Sequence, residues 1–301
     1  MFLVNPASGN GATGKRWPEL QRQAADFGLA GRVELSTRPG GLADLARSAA
    51  EDGAELVVAV GGDGTVHEVA NGLLRARGRP LPQLGILPRG TGDDFVRALG
   101  IPTADIDALT VLRDGRARDL DVGRVTYLTG GGGEAQSFFV SMAGVGMSGA
   151  VARRLNTTSK RLGGKVAGLV ATFAVFSRWR NVDVRVTVGG EQRDGRMEDV
   201  LVGNTEFHNG GMRLCPGARP DDGVFDVLLI GDVTKAELVR VLPKLYRGTH
   251  LPHPKAELLR GATVSVDSST PLPIELDGEQ PGTTPVRFEV VPGELRVRVP
   301  A

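Results

Sequence analysis

The segment Gly61–Thr65, with the sequence GGDGT, has the composition of a phosphate-binding loop. It follows the apolar run Leu56–Val60, which is typical of a buried parallel strand, and precedes a predicted helix over His67–Arg77. Glycines at such a turn let backbone N–H groups approach phosphate oxygens, and the N-terminus of the helix adds partial positive charge. Asp63 fits this chemistry if a divalent cation or a cationic partner offsets its charge. The alternative is a tight strand-to-helix turn capped by Asp63 or Thr65.

A second glycine-rich loop repeats this arrangement one strand later. The segment Leu87–Phe95, with the sequence LPRGTGDDF, follows a predicted strand at Leu84–Leu87 and opens a predicted helix. Because ligands of open α/β sheets bind at the carboxyl ends of strands, two such loops side by side can enclose a nucleotide. The alternative is a helix start capped by Thr91, Asp93 or Asp94.

The loop after the first predicted strand, Phe2–Val4, matches two known motifs only in part. The spacing G-x-G-x-x-G of dinucleotide-binding folds occurs over Gly9–Gly14, but this spacing alone has little specificity. The beginning of a P-loop occurs over Gly9–Lys15, yet Arg16 replaces the serine or threonine that would hold magnesium. Neither match therefore defines the chemistry of this loop.

Two acidic turns lie in the second half of the chain. Pro220–Gly223 precedes the predicted strand Phe225–Ile230, and Asp222 together with carbonyl groups of this loop can hold a hard cation. A plain Asp-Gly turn is the alternative. The segment Ile274–Glu279, with the sequence IELDGE, places carboxylates at an isolated turn. Phosphoryl transfer needs a carboxylate that accepts the proton of the attacking hydroxyl, and this turn supplies candidates.

The elements that position these loops change character near residue 120. Before that point strands and helices alternate, which predicts a parallel sheet with helices on both faces. After it most segments are predicted strands, among them Gln136–Met142, with helices predicted at Val166–Arg178 and Lys235–Leu245. We therefore predict a Rossmann-like α/β nucleotide-binding domain at residues 1–122 and a β-sandwich domain at residues 123–301 that carries the acidic turns.

The composition excludes several classes of protein. A net charge of +1 gives no overall basic footprint, so we expect no nucleic-acid partner. Cys215 is the single cysteine, which excludes a disulfide within the chain and suits a reducing compartment. The N-terminus has no signal-peptide pattern, and the longest apolar run, Val166–Phe176, is too short to span a bilayer. These features predict a cytoplasmic protein.

The stretch Ala135–Val182 contains no aspartate or glutamate. Its basic residues are Arg153, Arg154, Lys160, Arg161, Lys165, Arg178 and Arg180. A basic and apolar segment can lie on an anionic membrane, so peripheral contact with the inner face of a membrane is one expectation. The alternative is a core helix with solvated flanks.

Together these segments resemble the catalytic-domain family of diacylglycerol kinases, which includes sphingosine and ceramide kinases and soluble bacterial lipid kinases. The segments that carry the resemblance are Asn5–Gly9, Gly61–Thr65, Gly90–Phe95, Asp119–Gly123, Gly210–Met212, Asp222–Gly223 and Leu276–Glu279. Their order and spacing are highly specific and extend over nearly the whole chain. The resemblance implies two domains with ATP bound between them, and Mg²⁺-dependent phosphorylation of a lipid alcohol.

The resemblance also implies roles for individual residues. The positions similar to the family's nucleotide contacts are Thr37, Gly61, Gly62, Asp63, Gly64, Thr65, Val66, His67 and Thr91. Asp277 is similar to the proton acceptor, which makes it the candidate general base. A structural Mg²⁺ would be held by the carboxylate of Asp222 and the backbone carbonyls of Arg219 and Val224, with Asp121 tied into that network.

Two positions depart from the family pattern. His67 stands where many members have asparagine, and Asp93 stands where asparagine usually follows Gly-Thr-x. Both positions lie near the expected phosphates. The extra carboxylate of Asp93 would weaken ATP binding unless it caps the helix or meets a cation.

Other functions remain open at this point. Diacylglycerol, phosphorylated to phosphatidic acid, is the acceptor that the family implies first, while sphingoid bases, ceramide and polyprenols are alternatives. An NAD kinase-like enzyme shares the GGDGT loop, but Gly-Thr-x-x-Asp-Phe and the late Asp-Gly-Glu favour a lipid kinase. A non-catalytic lipid or nucleotide sensor is a further alternative, and the presence of both Asp63 and Asp277 argues against it. The oligomeric state is open, with a homodimer as one option.

Overall fold

The computed structural model describes residues 1–78, 80–157 and 174–301 of the chain. The contacts within these ranges define two compact units, Met1–Asp121 with Gly293–Ala301, and Val122–Pro292. The domain boundary predicted after residue 122 stays a prediction. The structure adds that the residues from Gly293 onward have their contacts with the first unit.

One predicted helix falls largely outside the described residues. Of the helix predicted over Val166–Arg178, residues 166–173 lie outside them, and so do the basic residues Lys160, Arg161 and Lys165. The flanking basic residues Arg178 and Arg180 are described and exposed. The alternative that this segment forms a core helix is therefore not addressed by the described residues.

The first unit is built on a parallel sheet. Its strands in chain order are β1 (Phe2–Val4), β2 (Val33–Leu35), β3 (Leu56–Gly61) and β4 (Gln83–Pro88). They lie side by side in the order β2, β1, β3, β4, with Val60 between Val4 and Leu87. Most residues of β3 and β4 are buried, which is why both strands are nearly continuous apolar runs. Because the strands are parallel, the loops that follow β1, β3 and β4 emerge at the same edge.

Helices cover this sheet. They are α1 (Ala12–Asp26), α2 (Gly41–Glu51), α3 (Asp63–Leu74), α4 (Asp94–Ala98) and α5 (Asp105–Asp114). Trp17 of α1 and Leu109 of α5 share one core cluster with Phe2 and Val4. The helices α2 and α3 pack so closely that a Cβ at Gly72 would overlap the backbone of α2. The predicted α/β fold of the N-terminal part is confirmed.

The second unit consists mainly of antiparallel strands. The strands that follow the first sheet are β5 (Arg116–Leu128), β6 (Glu134–Phe139), β7 (Met142–Gly146), β8 (Val182–Val188), β9 (Glu191–Gly203), β10 (Phe207–His208), β11 (Met212–Arg213), β12 (Phe225–Gly231), β13 (Ala256–Gly261), β14 (Thr263–Ser268), β15 (Ile274–Leu276) and β16 (Thr283–Val299). The long strand β9 pairs with β8 through its first half and with β7 and β12 through its second half. β15 pairs with β7, and β13 pairs with β12.

Three phenylalanines mark the centre of the sandwich core. The ring of Phe139 stacks on Phe225 at a centroid distance of 5.4 Å and meets Phe288 edge to face at 6.1 Å. Alternating valines of β8, β9 and β14 complete this core cluster. Burial of alternate residues is the pattern expected for strands with one face on a core, and the predicted β-sandwich is confirmed.

The helices α6 (Met147–Thr157) and α7 (Lys235–Arg247) accompany these strands, and residues 174–178 are also helical. The prediction of a helix at Lys235–Leu245 is confirmed by α7. This helix begins with a complete capping box between Thr234 and Glu237. The helix α6 was not predicted from the sequence. Among the described residues, no helix is long and apolar enough to cross a membrane.

The prediction of one strand over Gln136–Met142 is wrong. The chain forms two strands there, β6 and β7, with a break at Val140 and Ser141. The backbone N–H groups of these two residues donate to the carboxylate of Asp277. The strand is therefore interrupted by a side chain that lies more than a hundred positions further along the sequence.

Candidate nucleotide site and catalytic turn

Three loops at the carboxyl edge of the parallel sheet touch one another. The amide of Asn5, after β1, donates to Thr65 Oγ1 at the start of α3, with an N···O distance of 3.0 Å. The backbone N–H of Arg89, after β4, donates to the carbonyl of Gly61 at 2.7 Å. The loops predicted to enclose a nucleotide are thus neighbours in the first unit.

The glycines of the GGDGT loop are required by this close packing. A Cβ at Gly61 would overlap the side chain of Thr65, and a Cβ at Gly62 would lie 2.6 Å from the Cα of Gly90. The φ angle of Gly62 is −96°, so the steric contact, rather than an unusual backbone conformation, excludes a larger residue there. Glycine at both positions therefore has a structural reason in addition to the approach of a phosphate.

Asp63 caps a neighbouring helix rather than its own. Its carboxylate accepts a hydrogen bond from the backbone N–H of Phe95, in the first turn of α4, at 3.2 Å. No side chain caps α3, whose N-cap residue is Gly62, so the alternative of a locally capped turn does not hold. Burial, and then the charge of Asp94, raise the pKa of Asp63 to about 6.

Asp93 closes the turn of the second glycine-rich loop. It adopts the left-handed conformation, with a φ of 51°, and its Oδ1 accepts from the N–H of Gly90 at 3.0 Å. Burial raises its pKa as well. The carboxylates of Asp63, Asp93 and Asp94 therefore lie close enough to repel one another, and a cation bound nearby would relieve that repulsion.

A cavity of about 670 Å³ opens between the loop after β1, the first turn of α1 and the loop after β4. Gly9, Thr91 and three arginines, Arg16, Arg89 and Arg97, are among its lining residues. The N-terminus of α1 and these guanidinium groups attract a polyanion, whereas the carboxylate of Asp93, which also lines the cavity, opposes it.

Asp105 holds two of the arginines at this cavity, and Arg89 is the less exposed of the two. The carboxylate of Asp105 pairs with Arg89 and also with Arg16, in the latter case at 2.9 Å. The Arg89 side chain is 13% exposed, and its Nε has no hydrogen-bond partner among the described residues. No sequence pattern points to this cluster, and Arg16 stands out in the sequence only as the residue that breaks the P-loop pattern.

The residues predicted to contact phosphates are distributed over different environments. Thr91 lines the cavity, and Gly62 contacts the loop that contains it. Thr37 is exposed after β2 and is not among the cavity-lining residues. Val66 and His67 are buried in α3, where the His67 ring lies 3.4 Å from the amide nitrogen of Asn71. The contact of these residues with a nucleotide stays a prediction.

Asp277 lies in a tight turn of the second unit. Its φ is 48°, and its side chain is buried, with 8% of the residue exposed. Three backbone N–H groups donate to its carboxylate, those of Val140 (2.9 Å), Ser141 (2.9 Å) and Met142 (3.1 Å). Its own N–H donates to the carbonyl of Met142 at 2.9 Å, so both the main chain and the carboxylate are held in one orientation.

A buried contact between a carboxylate and a histidine supports the same turn. Glu275 accepts from the N–H of Gly278 and lies 3.2 Å from His208 Nε2. Glu275 and His208 are both buried, whereas Glu279, the last carboxylate of the turn, is exposed. The sequence showed the three carboxylates, but the role of Glu275 in holding the turn was not predicted.

The predicted magnesium loop has one carboxylate that already has partners. Asp222 Oδ1 accepts from the N–H of Val224 at 3.3 Å, and its other oxygen pairs with Arg260, which also pairs with Asp226 at 3.2 Å. Carboxylate and carbonyl oxygens suit Mg²⁺, but a cation would compete with Arg260. Across residues 1–78, 80–157 and 174–301, no group of three or more acidic, histidine or cysteine side chains has a metal-binding arrangement.

Asp121 also has a partner of its own. Its carboxylate accepts from the backbone N–H of Gly293 at 2.9 Å. This bond ties the end of the first long segment of the first unit to its C-terminal segment. A link between Asp121 and a magnesium network stays a prediction.

Comparisons with known proteins agree with the fold and identify the family. Residues 1–125 match the diacylglycerol kinase catalytic domain, and residues 141–299 match the YegS C-terminal NAD kinase beta sandwich-like domain. Curated diacylglycerol kinases of Staphylococcus carnosus and Staphylococcus saprophyticus are each 28% identical to this chain, covering 99% of it and 94% of their own length.

Solved structures show the same fold. Two Bacillus anthracis proteins match 99% of this chain. One is named a diacylglycerol kinase, and the other carries that name provisionally. Their TM-scores are 0.80 and 0.73, at 21% and 19% identity, and 94% and 95% of their own chains are covered. The resemblance found in the sequence is thus confirmed. The chain belongs to the family of kinases in which a diacylglycerol kinase catalytic domain is joined to a YegS-type β-sandwich domain.

Proposed function

We propose that this kinase transfers the γ-phosphate of ATP to the hydroxyl of a lipid alcohol, with diacylglycerol as the first acceptor to test. The observation that carries the nucleotide part is the arginine-lined cavity at the loops after β1 and β4. The acceptor class comes from the relatives named diacylglycerol kinase, which match nearly their full length. A single buried cysteine and the need for ATP suit the cytoplasm.

The cavity has the chemistry that a triphosphate requires. Arg16 and Arg89 present guanidinium groups that are held in place by Asp105, so little side-chain entropy is lost when an anion binds. The N–H groups at the start of α1 and the hydroxyl of Thr91 add neutral donors. Mg²⁺ bound with the phosphates would offset both their charge and that of the nearby carboxylates.

Asp277 is the proposed proton acceptor. Three N–H donors hold its carboxylate in one orientation, which supports the positioning of a proton acceptor, while the choice of Asp277 as the base comes from the family resemblance. The same contacts also stabilise the turn, so loss of Asp277 affects structure as well as chemistry. Glu279, exposed on the same turn, is therefore the matched control for a nearby carboxylate.

The first experiment measures transfer of labelled γ-phosphate from ATP to acceptors dispersed in detergent micelles, with Mg²⁺. The panel contains diacylglycerol, sphingosine, ceramide, a polyprenol and, in solution, NAD. We expect transfer to one lipid class by the wild type and by Glu279→Gln, and a loss of about a hundredfold or more in Asp277→Asn. Melting temperatures measured in parallel separate a chemical defect from unfolding.

Each of the other outcomes has a defined meaning. Loss of transfer in Glu279→Gln with activity retained in Asp277→Asn would move the proton acceptor to Glu279 and leave Asp277 as a positioning residue. Formation of NADP would establish the NAD kinase alternative. Tight ATP binding without any transfer across the panel would favour the sensor.

The structural magnesium at Arg219, Asp222 and Val224 is a separate proposal. If it is correct, Mg²⁺ raises the melting temperature of the nucleotide-free wild type, and Asp222→Asn removes this effect. Arg260→Gln is the informative partner variant, because it frees the carboxylate of Asp222 and should strengthen the response to Mg²⁺. Equal melting curves with Mg²⁺ and with EDTA in all three proteins would refute this site.

A further inference from the structure

The helix α7 carries large apolar side chains that are about half exposed. Across residues 1–78, 80–157 and 174–301, five large apolar side chains are exposed, and three of them belong to α7. These are Val239 (59% exposed), Leu242 (45%) and Tyr246 (50%). Their spacing of three and four residues places them on one side of the helix, where they form a continuous row.

A different side of α7 accounts for its packing. Val241 and Leu245 join Leu228 and Leu258 in a core cluster of the second unit. The helix therefore already has a core-facing side, and the exposed row is additional to it. A single exposed apolar residue would be ordinary, but a row of three on one helix is the pattern of a docking surface.

Basic side chains border this row. Arg240, Lys244 and Arg247 are exposed, and none of them forms an ion pair with any described residue. The one acidic residue of the helix, Glu237, is held by Lys255 at 2.8 Å, and this contact lowers its pKa to about 2. The outer surface of α7 is therefore both apolar and positively charged.

The basic border continues onto the segment before β8. Lys235, the first residue of α7, donates to the carbonyl of Phe176 at 2.7 Å and also to that of Ser177. This contact places the exposed Arg178 and Arg180 beside the start of the helix. Part of the basic stretch that the sequence suggested as a membrane contact thus adjoins α7.

We propose that the α7 face, defined by Val239, Leu242 and Tyr246, docks on an anionic lipid bilayer. The apolar row would enter the interface while the basic residues contact lipid headgroups, as in interfacial amphipathic helices. The charge argues against a symmetric pair of chains, because a twofold contact through this face would bring its basic border close to the basic border of the copy. The inference rests on the proposed function in one respect: an enzyme that phosphorylates a membrane lipid has to reach the bilayer.

The test measures binding of the full chain, without ATP, to vesicles of phosphatidylcholine with or without phosphatidylglycerol. The apolar variant carries Leu242→Gln and Tyr246→Gln. Its matched control carries Leu35→Gln and Ile106→Gln, which replace the two equally exposed apolar residues of the first unit. We expect anionic vesicles to bind the wild type and the control alike, and the apolar variant about tenfold more weakly.

A charge variant, Arg240→Gln with Arg247→Gln, tests the contribution of the basic border. Each lost charge should weaken binding to anionic vesicles roughly fivefold, with little change on pure phosphatidylcholine. Absence of binding by the wild type would overturn the proposal, and so would equal binding by the variants and the control. A wild-type dimer that the apolar variant converts to a monomer would also overturn it, because the face would then join two copies of the chain.

A kinase assay separates failure of this proposal from failure of the proposed function. With diacylglycerol in detergent micelles, the apolar and charge variants should match the wild-type rate. With diacylglycerol in anionic vesicles, they should be slower by the same factor as their binding. No transfer by the wild type in either form would refute diacylglycerol as the acceptor, while the vesicle-binding result would still decide the docking surface.

Discussion

Replacing Asp63 by asparagine should stabilise the first unit, and more so as the pH rises. Burial among other carboxylates raises the pKa of Asp63 from 3.8 to about 6. A carboxyl whose pKa is raised on folding contributes stability below pH 3.8 that is lost as the pH rises through 6. At about 1.4 kcal/mol for each unit of pKa, ionised Asp63 costs the folded unit roughly 3 kcal/mol.

The variant Asp63→Asn keeps the structural role of the side chain. An amide oxygen can accept the hydrogen bond from the N–H of Phe95, so the cap on α4 is preserved. The free energy of unfolding should exceed that of the wild type by about 1 kcal/mol at pH 4.5 and by about 3 kcal/mol at pH 8. The gain follows from removal of a charge and not from a new contact.

Urea unfolding between pH 4.5 and pH 8 tests this prediction. Trp17 is buried in the first unit, so its fluorescence in a Trp179→Phe background reports that unit alone. Asp26→Asn, on the exposed surface of α1, is the matched control and should change stability by less than about 0.5 kcal/mol. A stability difference that is independent of pH, or a variant less stable than the wild type at pH 8, would refute the reasoning.

The remaining predictions each concern a single substitution in one of the two units. Asp93→Asn retains the acceptor for the Gly90 N–H and tolerates the left-handed backbone, and loss of the charge should tighten ATP binding about fivefold, measured by calorimetry. Gly62→Ala should cost about 1–3 kcal/mol of stability in urea unfolding, while Gly130→Ala, with open space around it, should cost almost nothing. Burial raises the pKa of Glu198 to about 7, so Glu198→Gln should stabilise the second unit by up to about 3 kcal/mol at pH 8 and by much less at pH 4.5.

Local patterns were enough to predict the fold class and the loops of interest. Buried parallel strands are continuous apolar runs, so Leu56–Val60 identified β3 and located the GGDGT loop at its carboxyl end. The helix predicted at Lys235–Leu245 is likewise found as α7, and the capping box between Thr234 and Glu237 that the structure shows at its start spans only four residues. Both signals come from residues that are close in the sequence.

The positions of the side chains at the candidate sites depended on contacts between distant residues. The sequence contains Arg16, Arg89 and Asp105, but only the packing of α1 and α5 at the edge of the sheet joins them at one cavity. The break between β6 and β7 likewise has no local signal, because the acceptor for the N–H groups there is Asp277.

The sequence alone therefore determined the family, the two fold classes, and which residue types could do chemistry. The tertiary structure decided which of those residues are buried, which are held in one orientation and which are exposed. It buried Val66 and His67 within α3, fixed Asp277 by three backbone donors, and left one face of α7 exposed. The physical reason is that periodicity and capping act over a few residues, whereas burial and charge depend on every element that packs around a side chain.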